Sequence, residues 1–227
     1  MRQEELLIWL AVLATAAVAA VVVQPLLRWL PEPVGEDPAA VQDKVSYASL
    51  ATPSFVLGCT LCTAVAAAVA WTTLPPALQL PWTVLAVLGV LLAAIDLTTT
   101  WLPTPLIHIA WVAMAFAALA GASLAGSWTM LARAAIGAAL ARGLYYLVWR
   151  LSRGGFAFGD VRFAPLLGAA TGAGGWDLLV WGMCAGTLLG GVQAAVRLLR
   201  RRPGAFPYAP VMLGGPYLTA LVLALLP

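Results

Sequence analysis

Two aspartates are the residues of this chain best placed to do chemistry. Asp96 closes an apolar run, in Ala94-Ile95-Asp96-Leu97-Thr98-Thr99-Thr100-Trp101-Leu102-Pro103-Thr104-Pro105. Asp160 opens another, in Phe156-Ala157-Phe158-Gly159-Asp160-Val161-Arg162. Insertion of an Asp at the centre of a spanning helix costs about 2.5–3.5 kcal/mol, so an acid in such surroundings is a functional candidate by default. Two carboxyls together suit hydrolysis through an activated water. One is ionised and takes a proton from water, while the other is protonated and polarises the carbonyl under attack. Like charges at short range resist ionising together, which separates the two roles. Gly159 would let backbone come close to the carboxylate. Each acid alone also has a plainer reading. Asp96 could be a helix-end acid in a Thr-rich turn before prolines that start the next helix, and Asp160 could cap a helix beginning at Val161.

Other chemistries find less support. The single His, His108, offers no Ser-His or Cys-His arrangement. Cys59 and Cys62 form a CxxC inside an apolar run with no second pair of ligands, whereas a zinc site takes four. No metal and no cofactor is expected. Asp177 follows Gly174-Gly175-Trp176 and reads as a helix N-cap. Arg142, within an apolar stretch, should seldom face lipid and should find a partner inside a bundle.

The elements that must position these acids are membrane spans. The chain is 63% hydrophobic and only 9% charged, with a mean hydropathy of +0.95, against about 25% charged in soluble domains. Its charge of +3 comes from Arg and Lys beside apolar segments, so it orients helices rather than binding nucleic acid. Eight apolar stretches can be drawn: 6–27, 53–72, 80–95, 105–122, 128–150, 161–172, 176–198 and 208–226. The sixth is short for a span, and the expectation is an all-α polytopic transmembrane bundle of six to eight spans forming one domain, 1–227. The stretch 6–23 is read as the first span, because its flank carries Glu4 and Glu5 rather than a basic run.

The longest connection, 28–52, holds Glu32, Glu36, Asp37 and Asp43 and reads as a mobile surface loop. With alternating connections, Arg28, Lys44, Arg150, Arg153, Arg162, Arg197, Arg200, Arg201 and Arg202 fall on one side. That side is expected to be cytoplasmic, and both Asp96 and Asp160 belong to it. Most Trp residues lie near stretch ends, as an interfacial belt requires.

The spacing around the two acids resembles the GxGD intramembrane aspartyl proteases, and in particular the prepilin peptidases. The first motif of that family runs Asp, six residues, Pro, then a polar residue, matched by Asp96, Pro103 and Thr104. The second continues GxGD, aliphatic, basic, apolar run, Gly, three residues, Gly. Gly159, Asp160, Val161, Arg162, Gly168 and Gly172 fit it. A third element, Pro207-Tyr208-Ala209-Pro210 after the basic run Arg200-Arg201-Arg202, resembles the opening of the family's last helix. The resemblance covers about residues 90–226 and departs at Ala157 for the first Gly, and at Thr98 and Thr104 for acid or amide positions.

It implies Asp96 and Asp160 as catalytic residues, with Ala157, Gly159, Arg162 and Pro103 as substrate-binding or motif-supporting positions. The implied partners are a type IV prepilin or pseudopilin precursor and the lipid bilayer. The implied location is the plasma (inner) membrane, with cleavage at its cytoplasmic border. The connection 28–52 contains no paired CxxC insert of the kind that accompanies N-methylation in many members. A transporter or assembly subunit using the two acids as ion ligands, and an inactive relative of the peptidases, are the alternative readings.

Overall fold

The computed structural model describes residues 3–32, 45–152, 156–201 and 206–226. The acids Glu36, Asp37 and Asp43, with Lys44, Arg153 and Arg202, lie outside them. The described residues form eight long helices and no strand: α1 (Gln3–Trp29), α2 (Pro53–Thr73), α3 (Pro76–Thr99), α4 (Thr104–Leu124), α5 (Trp128–Leu151), α6 (Phe158–Gly174), α7 (Trp176–Leu199) and α8 (Ala209–Leu225). α1 to α5 and α7 are long and apolar enough to cross a membrane, while α6 and α8 have 17 residues each. The chain is an all-α polytopic bundle.

Local sequence sets the boundaries. Prolines in the first turn begin α2, α3, α4 and α8, where the ring costs no helical hydrogen bond. At α2 the Thr52 hydroxyl also caps the helix, accepting from the Phe55 N–H at 3.3 Å. α3 stops where Thr100 turns left-handed (φ 56°), its N–H donating back to the Asp96 carbonyl at 2.8 Å. Asp177 is the second residue of α7 rather than its cap, since Gly175, at a positive φ of 128°, provides the break before Trp176. Prolines inside α3, α6 and α8 (Pro81, Pro165 and Pro216) are buried or half-buried within the bundle.

α3 and α6 lie in the middle. α3 is more deeply buried than any other of the six long helices, and nearly every residue of α6 from Asp160 to Ala173 is buried. Close approach of α6 to α5 depends on glycine. A Cβ on Gly168 would collide with the Gly137 carbonyl, and one on Gly172 would come 2.6 Å from the Arg133 carbonyl. Gly182 and Gly186 of α7 play the same part against Pro216 and Met212 of α8, where Gly215 answers them. Small residues that let backbones touch are the usual basis of helix association in lipid, where apolar burial gives no advantage.

α3 contains one turn of π-helix, Leu85–Gly89. Such a turn loosens the regular ladder and needs outside partners. The Thr63 hydroxyl of α2 donates to the Ala86 carbonyl at 2.9 Å, and the Tyr217 hydroxyl of α8 donates to the Trp82 carbonyl at 3.3 Å. Trp82, wholly buried, donates its indole N–H to the Ala170 carbonyl of α6 at 3.2 Å. Helices α2, α6 and α8 are thereby locked around the span that carries Asp96.

Candidate functional site: two buried aspartates on one cavity

Asp96 lies in the last turn of α3, and Asp160 is the third residue of α6. Each is 4% exposed, and they are the only buried acids among the described residues. Both line a single cavity of about 480 Å³ at the end of the bundle formed by the α1–α2, α3–α4 and α5–α6 connections. They are close enough for the charge of one to act on the other. Asp160 does not cap its helix: Ala157 stands at the N-cap, and Asp160 sits within the first turn, where an acid is favoured by the helix dipole.

The cavity gathers the residues singled out by spacing. Pro103, Ala157, Gly159 and Arg162 line it beside the two acids. Ala157 has φ −77° and ψ 140°, ordinary extended backbone that an alanine adopts without strain. The glycine absent from the motif is therefore not needed for a left-handed turn. Gly159 is needed for room: a Cβ there would lie 3.2 Å from Cβ of Leu102, itself a cavity residue. Arg162 ties the two motifs together by donating to the Thr104 hydroxyl at 2.7 Å. Its guanidinium lies 4.8 Å from the centre of the Phe158 ring. Its backbone carbonyl accepts from the indole N–H of Trp111 at 3.0 Å. Thr104 thus occupies an acid or amide position of the motif as the acceptor for an arginine.

Asp96 is held from a third direction. Its Oδ2 accepts the backbone N–H of Ala209 at 2.9 Å, in a buried hydrogen bond at the start of α8. A helix N-terminus offers both a free N–H and the positive end of the dipole, an arrangement that stabilises negative charge. Tyr208, one residue earlier, fits against Gly190 of α7, where a Cβ would strike its ring. It meets Phe156 edge-on at 5.0 Å, and Phe156 stacks on Tyr145 at 5.8 Å. This aromatic cluster joins the strand of chain entering α6 to the residue entering α8. The element Pro207-Tyr208-Ala209-Pro210 therefore bears directly on Asp96.

Several lining residues carried no sequence signal. Trp101, Leu102 and Phe158 line the cavity only because the chain turns there. Tyr47 belongs to the connection expected to be surface loop, yet it is 2% exposed, and the chain continues from it into a short 3₁₀ turn at Ala48–Leu50. Tyr47 is thus packed although its neighbours Val45, Ala48 and Ser49 are exposed. Burial first, and then the negative charges of Glu32 and Asp96, push the Tyr47 phenol up to about 12. It stays a hydroxyl donor over the whole working range of pH. Glu32 and Pro31, just beyond the end of α1, complete the rim. Tyr47 is the sole aromatic residue between 31 and 52, and that isolation is the signal that could have found it.

Elsewhere the smaller candidates separate. Cys59 is buried and Cys62 exposed, both as free thiols on α2. His108 is exposed on α4, its ring 5.3 Å from that of Trp111. Comparison of the chain with protein-family models, with curated proteins and with solved structures gives no match. The geometry of the cavity is what bears on function.

Proposed function

We propose that the protein is a membrane-embedded aspartic endopeptidase of the prepilin-peptidase kind, with Asp96 and Asp160 as its catalytic pair. One observation carries the reading: two buried carboxyls, delivered by separate helices, share one open cavity at a helix-end layer of the bundle. Asp96, facing the Ala209 N–H, is suited to be the ionised partner that takes a proton from water. Asp160 then donates its proton to the scissile carbonyl oxygen as the hydroxyl attacks. On collapse Asp96 hands the proton it took from water to the leaving amine, Asp160 recovers its proton from the intermediate's hydroxyl, and the C–N bond breaks with both carboxyls restored. Gly159, Ala157 and Leu102 form a narrow wall along which an extended peptide can run. Glu32 at the rim supplies attraction for a basic leader.

The substrate is a precursor with a short basic leader before an apolar helix, the arrangement of type IV prepilins and pseudopilins. The excess of basic residues at the connections around the cavity supports a cytoplasmic position for both acids in the plasma (inner) membrane. The test is cleavage of such a precursor by the purified protein, read as a shortened band. Asp96→Asn and Asp160→Asn should each lower the rate by at least about a hundredfold, the contribution of a positioned acid or base. Both variants should insert and fold as the parent does. Full cleavage by either one overturns the mechanism, and gradient-coupled transport without product would favour an ion-carrying role.

A further inference from the structure

The outer face of α4, α5 and α6 carries a cleft unrelated to the aspartate cavity. Its volume is about 220 Å³, and its walls are apolar: Trp111, Met114 and Ala118 from α4, Leu131 and Ala138 from α5, Leu166 from α6. It opens sideways, because Ala115 and Ala135 at its edge are exposed. In a bilayer such an opening faces acyl chains, and alanine on both helices keeps it from closing.

One end of the cleft is charged. Arg142 stands four residues beyond Ala138, on the same side of α5 and toward the end of the bundle that holds the aspartates. Its guanidinium lies 5.7 Å from the centre of the Trp111 ring, the aromatic wall of the cleft. The residue is exposed, and none of the described acids forms an ion pair with it. It is nine residues, or about 13 Å, before the end of α5 at Leu151. Among the described residues, the expectation of a partner inside the bundle is thus met by an aromatic face. Its N–H donors meet no acid among the described residues and lie on an exposed face of a helix long and apolar enough to span a membrane, where an acceptor from outside the protein can reach them. His108, one turn nearer the membrane surface on α4, sits against the same indole and is the other polar side chain at this mouth.

We propose that this cleft binds an anionic phospholipid from the leaflet on the aspartate side. One acyl chain lies between α4 and α5, and the headgroup phosphate is taken by Arg142 over Trp111. Guanidinium matches a phosphate oxygen pair in a way that a choline headgroup, carrying its own cation, partly satisfies already. The site holds whether or not the aspartates cleave peptides.

Native mass spectrometry of the full-length protein in detergent tests it, with phosphatidylglycerol and phosphatidylcholine of identical chains as probes. The parent should retain one phosphatidylglycerol firmly, with about a tenfold preference over phosphatidylcholine. Arg142→Gln should reduce that preference to near onefold, Arg142→Lys should restore part of it, and Arg150→Gln, at the exposed end of α5, should leave it unchanged. Ala135→Leu, which fills the cleft and leaves the cation in place, should weaken both lipids. Far-UV circular dichroism and size-exclusion profiles establish that the variants are folded. Equal retention of the two lipids by the parent overturns the proposal, as does unaltered phosphatidylglycerol binding by Arg142→Gln or by Ala135→Leu. Displacement of the lipid by millimolar inorganic phosphate would also overturn it, by making the site one for free phosphate.

Discussion

Ala157 stands where the GxGD-like spacing would put its first glycine. Its φ of −77° removes any demand for glycine, and its side chain is only a methyl group on the cavity wall. Ala157→Gly should change the cleavage rate less than threefold. Ala157→Leu should narrow the cavity and lower the rate at least tenfold, as measured by initial rates on a prepilin-like substrate; equal rates for parent and Leu variant would contradict this. Gly159 is less tolerant, since any Cβ must displace Leu102, and Gly159→Ala should already slow cleavage several-fold. Tyr47 gives a pH signature. Its phenol is raised from the ordinary 10 to about 12 in the fold, so the folded state holds the proton more tightly than the unfolded one. Its contribution to stability is complete below about pH 10 and is lost as pH rises toward 12. Tyr47→Phe should therefore flatten the fall in melting temperature over that window, measured in detergent against the parent.

Among elements, the pairing of α5 with α6 is the most exacting. Gly168→Val would drive two methyl groups toward the Gly137 carbonyl and the Ala141 side chain. Overpacking of this kind costs about 1–3 kcal/mol or more, and a fall of several degrees in thermal midpoint is expected. Gly143 of the same α5 has open space where a Cβ would go. Gly143→Ala should hold or raise the midpoint, because alanine is the better helix former by up to about 1 kcal/mol. Both readings come from a thermal-shift assay in one detergent. The spacing Gly168, three residues, Gly172 was visible in the sequence, but its meaning was not, because the partner surface on α5 is a backbone carbonyl. The eight apolar stretches agree with the eight helices to within a few residues, with α3 and α6 each starting earlier than hydropathy alone suggests. Prolines and Thr-rich turns marked their ends. The π turn left no trace, since Leu85-Ala86-Val87-Leu88-Gly89 is ordinary helical sequence, and only in the fold do the Thr63 and Tyr217 hydroxyls, donating to the Ala86 and Trp82 carbonyls, mark the place.

At the scale of the molecule, the sequence marked Asp96 and Asp160 as the acids set beside apolar runs, because charge is scarce enough in this chain for each exception to stand out, and the fold buries both on one cavity. It did not tell that Asp96 faces the start of α8, since that hydrogen bond joins residues 113 apart in sequence. Nor did it tell that Tyr47, within the α1–α2 connection, is buried. Orientation is open to direct measurement. With Cys59, Cys62 and Cys184 replaced by serine or alanine, a single cysteine at Arg201 should resist a membrane-impermeant thiol reagent in intact cells. One at Gly126, in the turn between α4 and α5, should react. The reverse pattern would put the cavity on the outer face and exclude a cytoplasmic leader as substrate.

The π turn in α3 also governs how the chain tolerates changes of length. One extra residue is accommodated between Leu85 and Gly89, so everything after it occupies the slot that its predecessor would fill in an unbroken α-helix. Removing one residue there, Leu88 for example, should let the helix close up while Asp96 keeps its bearing toward Ala209 and the cavity. Removing Ala94 leaves the extra residue in place and turns the residues beyond it by about 100° relative to the rest of the span. The first deletion should therefore retain cleavage and the second abolish it, although both shorten the same helix by one residue.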